Sequence, residues 1–180
     1  MKTAIRLFSV LLSIAYPFIV FWGLHSNHYQ TLIVFLGLLL LSRFWLATLW
    51  QERLMLTLMV ALLVSLVLFS ETSTALKLYP VMINLSLFTV FVMSLHAKES
   101  VIEKLAKLRE PDLPAEGIAY TRKVTIAWSV FFLLNATIAF ITVFFMSSQA
   151  WMLYNGVIAY VLIAVMFSVE WLIRQRVRRQ

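Results

Sequence analysis

The residues best fitted by type and spacing to do chemistry lie close together between Arg109 and Lys123 (REPDLPAEGIAYTRK). Glu110, Asp112 and Glu116 are clustered carboxylates, an arrangement that can coordinate a divalent cation or divide general acid and general base work between two groups. Arg109, Arg122 and Lys123 flank them, and Tyr120 adds a phenol to the same run. The mixture suits equally the reception of a phosphate or acyl-carrier partner, a salt-bridged turn, or a solvated linker. No nucleophile elbow, phosphate-binding glycine loop or HExxH accompanies these residues, so no catalytic residue and no cofactor is implied.

A second group of candidates consists of polar residues in apolar surroundings, where each is costly and invites a functional reading. Asn135 lies amid the apolar run 124–146. It is read as a ligand or ion contact or, preferably, as a helix-to-helix hydrogen bond, worth about 0.6 kcal/mol on average. Asn84 and Asn155 each fall one turn into an apolar run and are expected near the outer surface, as a shallow polar site or as packing. Arg43 and Glu170 are expected at similar depth, as an ion pair or as two side chains reaching separately for the interface. His25 and His28 stand at i, i+3 on one side and His96 on the other, so no metal site is expected.

The elements that must position these residues are apolar helices. The chain is 62% hydrophobic and only 13% charged, against about 25% charged residues in a water-soluble domain. At about 20 residues per span, six spans are expected, at 5–24, 31–50, 54–70, 78–95, 124–146 and 151–173. A signal peptide competes for the first, since Ser13-Ile14-Ala15 has the form of a cleavage site, but the apolar run continues to Leu24. Pro17 is expected to kink that helix. With six spans, every Lys and Arg except Lys77 falls on one side. That asymmetry puts both termini in the cytoplasm. The +7 net charge therefore reads as a topology determinant, and no nucleic-acid partner is expected. There is no cysteine, which excludes disulfides and thiolate metal sites.

The cytoplasmic loop 97–123 interrupts the spans. Within it Ser100-Val101-Ile102-Glu103 fits a capping box. Val101, Ile102, Leu105 and Leu108 recur at helical spacing, with Glu103 and Lys107 paired at i, i+4 on the other side. A short amphipathic helix along the membrane surface is expected, ended by Pro111. Trp22, Tyr29, Trp45, Trp50, Tyr79, Trp128, Trp151, Tyr154 and Trp171 fall near span ends, where such rings favour the headgroup level. The fold class is thus an all-α integral membrane protein of six transmembrane helices forming one domain, with a short amphipathic cytoplasmic helix between spans four and five.

The run Leu108 to Thr125 (LREPDLPAEGIAYTRKVT), with Phe131 to Asn135, Tyr154-Asn155-Gly156 and Glu170 to Arg174, resembles a family of small uncharacterised bacterial inner-membrane proteins. Members of that family are encoded among genes for aryl polyene or xanthomonadin-type pigment lipids. More distantly, the last third looks like the intracellular septation protein A family. Neither family supplies a catalytic residue. The resemblance implies an inner-membrane, cell-envelope setting and singles out Arg109, Glu110, Pro111, Asp112, Tyr120, Arg122 and Asn135. The expected function is that of a non-enzymatic accessory protein in acyl or polyene lipid biosynthesis or export. Its partners would be the lipid bilayer and cytoplasmic biosynthetic proteins docking on loop 97–123. A small lipid or solute transporter, working as a homodimer, a membrane-embedded acyl or phospho-group transferase using Asp112, Glu116 and Arg122, and an envelope or septation scaffold are the alternatives.

Overall fold

The computed structural model describes residues 2–26, 29–46 and 72–177, together with 53, 56, 57, 60, 61 and 64. The described residues are helical almost throughout and contain no strand. The helices are α1 (Lys2–His25), α2 (Tyr29–Leu46), α3 (Thr72–Lys77), α4 (Tyr79–Ser94), α5 (Val101–Lys107), α6 (Ala115–Phe145), α7 (Ser148–Leu153), a π-helical segment (Tyr154–Ile158) and α8 (Ala159–Val177). Among the described residues two stretches are long and apolar enough to cross a membrane, Ala115–Phe145 and Ser148–Arg176, and Thr31–Leu46 and Tyr79–Ser94 are shorter apolar helices. Most of the expected third span, 54–70, lies outside the described residues. The chain forms two compact units, Met1–Pro80 with Ala139–Tyr160, and Val81–Ile138 with Val161–Gln180.

In the first unit α1 packs against α2, α3, α7 and the π-helical segment, and runs unbroken past Pro17. Tyr16, Val20, Leu32, Leu36, Leu39 and Trp151 are buried there. Gly23 sets the approach of α1 to α2, since a Cβ at that position would lie 2.6 Å from Leu32 Cδ2. Between the expected third and fourth spans, Thr72–Lys77 is a short helix. Such a short helix leaves its last carbonyls without helical partners. Two buried rings supply them: Tyr16 OH donates to the Leu76 carbonyl at 2.7 Å and Trp151 Nε1 to the Lys77 carbonyl at 3.1 Å.

The expected sixth span carries a register change that the sequence does not announce. At Tyr154–Ile158 the ladder widens, and the Ala159 N–H reaches back five residues to the Tyr154 carbonyl. Single π turns of this kind recur near functional sites. Gly156 makes this one compatible with α1, because a Cβ there would lie 2.8 Å from Phe18 Cζ. Asn155 donates through Nδ2 to the Trp151 carbonyl at 2.9 Å and to Thr142 Oγ1 at 3.2 Å.

The second unit is built on an aromatic cluster. Val124, Trp128 and Phe132 of α6 are buried, and Phe88 and Phe91 of α4, Ile102 of α5 and Ile163 and Met166 of α8 pack on them. Phe91 and Phe132 meet edge-on with centroids 5.1 Å apart, and Trp128 meets Phe167 at 4.7 Å. Trp128, Trp151, Tyr79 and Tyr154 are therefore interior residues. Trp22, Trp45 and Trp171 are exposed. Trp50 and the side chain of Tyr29 lie outside the described residues.

Two boundaries differ from the sequence reading. Helix α6 starts at Ala115, nine positions ahead of the expected Val124, with the Ile118 N–H bonded to the Pro114 carbonyl at 3.0 Å. A proline just before a helix has no N–H to leave unpartnered, and Glu116 in the first turn suits the helix dipole. Glu116, Tyr120, Arg122 and Lys123 thus belong to a helix and not to a loop. Helix α5 has the expected capping box, with Ser100 and Glu103 bonded reciprocally at 3.3 Å. Its apolar residues divide, however: Ile102 packs on the Trp128 cluster and Leu105 and Leu108 are 56% and 81% exposed, while Glu103 is buried. Glu103 tolerates burial because its carboxylate accepts from the Ser100 N–H and from Lys107 Nζ, the latter at 2.8 Å.

Candidate functional site

The residues that sequence spacing groups lie on one turn and on the start of the helix that follows it. Arg109, Glu110 and Asp112 sit in the turn between α5 and α6, and Glu116 and Arg122 lie on the first turns of α6; all five are exposed. Among the described residues no three His, Asp or Glu side chains converge to hold a metal ion. The organised charge in this region is Lys107, whose Nζ bridges Glu99 Oε1 and Glu103 Oε1 at 2.8 Å each. The hydrogen bond and charge of Lys107 hold the Glu99 carboxyl below its ordinary pKa, and bonds to Glu103 and Glu99 hold Lys107 above its own.

The remaining candidates serve to join helices. Asn135, 4% exposed, donates through Nδ2 to Asn84 Oδ1 at 2.9 Å, so the two amides of α6 and α4 are partners. Tyr120 and Glu170 are also brought together, but through the backbone: the Tyr120 hydroxyl donates to the Glu170 carbonyl at 3.2 Å. Arg43 belongs to α2, and its side chain lies outside the described residues, as does the expected Arg43–Glu170 pair. His28 lies outside them as well.

The concave feature that sequence reasoning missed is a groove of about 450 Å³ in the first unit. One wall is a single face of α2, formed by Ile33, Leu36, Gly37, Leu40, Leu41 and Phe44 at helical spacing. Leu56, Val60 and Val64 form the other wall, and Ala75 and Leu76 of α3 close the base. The hydroxyl of Thr57, which also lines the groove, donates to the Arg53 carbonyl at 2.8 Å and so asks nothing of an occupant. At Phe44 the Arg53 guanidinium stands 5.7 Å from the ring centroid. The groove has the size of a small-molecule site. Among the described residues the lining offers no polar side chain besides Thr57, which suits an apolar occupant. One signal for it was present in the sequence: Gly37 sits inside an apolar helix, and a Cβ there would meet nothing within 4 Å.

No family model, no curated protein and no solved structure matches this chain.

Proposed function

We propose that the chain is a non-enzymatic accessory protein of the bacterial inner membrane that shelters the hydrocarbon chain of an acyl or polyene lipid during its synthesis or transfer. The observation that carries this reading is the groove between α2 and Leu56, Val60 and Val64, whose described lining is almost wholly apolar. The multi-pass form rests on the two long apolar helices, on the shorter apolar runs before them, and on the segregation of Lys and Arg. In that arrangement both termini and loop 97–123 face the cytoplasm, and the exposed Leu105 and Leu108 of α5 enter the membrane surface. The exposed, charged turn 109–112 is then the docking face for cytoplasmic biosynthetic proteins. The resemblance to proteins encoded with aryl polyene genes supplies the cell-envelope context. A transport path past Asn135 is disfavoured, since that amide is buried and engaged with Asn84.

Native mass spectrometry of the protein released from its own membrane tests the reading. Bound acyl or polyene lipid is expected on the wild type, and Gly37→Phe, which places a ring where a Cβ meets open space, is expected to displace it. Equal lipid occupancy in a folded Gly37→Phe protein would sink the proposal.

A further inference from the structure

Helix α5 turns one side to the protein and leaves the other open. Ile102 packs on the Trp128 cluster, and Ala106 and Glu103 are buried. Lys104, Leu105 and Leu108 are exposed. The backbone keeps turning past the end of the helix, because the Arg109 and Glu110 N–H groups both bond to the Ala106 carbonyl at 3.0 Å. Residues four apart on such a surface are neighbours. Lys104 therefore stands beside Leu108, and Leu105 beside Arg109, so each exposed leucine has an exposed cation next to it.

The charges of this segment do not cancel. From Lys98 to Arg109 four cations stand against two carboxylates. Glu103 is buried and Glu99 half-buried, and both are bonded to Lys107 Nζ. Lys98, Lys104 and Arg109 are exposed and make no ion pair among the described residues. Glu110 and Asp112 come after them, in the turn that leads to α6.

The level of α5 is fixed by its neighbours. The Val101 N–H donates to Ser94 Oγ at 3.1 Å, which ties the first residue of α5 to the last residue of α4. Ile102 packs against Val124 and Trp128, and Val124 opens the apolar run 124–146. The helix thus lies where two apolar segments meet polar sequence.

We infer that α5 docks on the cytoplasmic leaflet and recognises the phosphate groups of anionic phospholipids, which Lys104 and Arg109 bind while Leu105 and Leu108 enter the acyl boundary. The inference rests on the proposed multi-pass topology, which turns this end of α4 and α6 to the cytoplasm. Surface helices bind lipid through buried apolar area together with attraction to anionic headgroups, and α5 offers both side by side. An acidic protein could also meet leucines flanked by cations. The anchoring of α5 at the start of the apolar segments favours lipid over such a partner.

The chain has no cysteine, so a nitroxide attached to Leu105→Cys reports on α5 alone in the full-length protein. Its shielding from a water-soluble nickel complex is compared in nanodiscs of phosphatidylcholine with and without phosphatidylglycerol. Each cation near an anionic surface contributes about fivefold, so phosphatidylglycerol should raise the ratio of shielded to exposed label about tenfold or more. High salt should remove the difference. Lys104→Gln with Arg109→Gln should abolish it, whereas Arg122→Gln with Lys123→Gln, which takes the same charge from α6, should retain it. Equal shielding in the two lipids, or equal loss in the two double variants, overturns the inference and leaves the topology standing. A label open to nickel in every disc overturns the inference and the surface placement of α5 together, and assigns the leucines to a protein partner. The groove and its lipid stand or fall independently of all three results.

Discussion

The indole of Trp151 donates to the backbone carbonyl of Lys77 at 3.1 Å, across 74 positions of sequence, from a ring that is wholly buried. With Tyr16 on the Leu76 carbonyl, it closes the end of a helix too short to close itself. Trp151→Phe keeps most of the packing and removes the indole donor from this part-buried carbonyl. The expected cost is about 1–3 kcal/mol, read as a lower thermal midpoint in nanodiscs, with faster amide exchange concentrated in residues 73–78. A uniform rise in exchange across the chain would show that the bond is not what holds α3.

Two glycines in apolar helices should respond oppositely to alanine. At Gly23 the new methyl would meet Leu32 Cδ2, Cγ and Cδ1 at 2.6, 2.8 and 2.9 Å. Leu32 is itself buried, so the clash cannot be relieved by moving only the end of a side chain. Overpacking of this kind costs about 1–3 kcal/mol. Gly37→Ala meets nothing and should be neutral or stabilising by up to about 1 kcal/mol, the usual gain of alanine over glycine in a helix. Thermal melts of both variants in the same detergent decide the matter; a destabilised Gly37→Ala would mean that the groove is narrower than described.

The pairing of Asn135 with Asn84 calls for a double-mutant cycle. Each substitution to leucine should destabilise, and the double substitution should cost less than the sum, because the second change removes a partner already lost. The coupling expected for such a bond between helices in lipid is about 0.6 kcal/mol and at most about 1.7. Strict additivity would assign the two amides to separate partners.

What was legible in the sequence was local. The Ser100–Glu103 capping box and the Glu103–Lys107 pair are set by three- and four-residue spacings that the helix imposes on itself, and both are present. Asn135 was legible as a joint between helices because a lone amide in an apolar run is too costly to leave alone. The groove, the burial of Trp151 and the burial of Glu103 were not legible. In a chain that is 62% hydrophobic, apolar periodicity no longer separates the face turned to protein from the face turned to lipid. Ile102 and Leu105 look alike in the pattern, yet one packs on the Trp128 cluster and the other is exposed. The early start of α6 was hidden by Pro111, Pro114 and Gly117, which read as a continuous turn although the helix begins between the last two.

The Lys107 bridge predicts how helix α5 responds to pH. Glu99 has a folded-state pKa below its ordinary value, chiefly through its hydrogen bond from Lys107. Its stabilising contribution is therefore complete above the ordinary carboxylate value of about 4.3 and is lost as pH falls through the depressed one. Lys107 has a raised pKa, through its bonds to Glu103 and then Glu99. Its contribution is complete below about 10.4 and is lost as pH rises through the raised value. The first turns of α5 should accordingly be steady from about pH 5 to pH 10 and fray on either side, as read from Cα chemical shifts of residues 100–107 in nanodiscs. Glu99→Gln should remove part of the acid-side change and leave the basic arm, since Glu103 still holds Lys107. An acid-side transition identical in Glu99→Gln and the wild type would show that the Glu99–Lys107 half of the bridge contributes nothing to the helix.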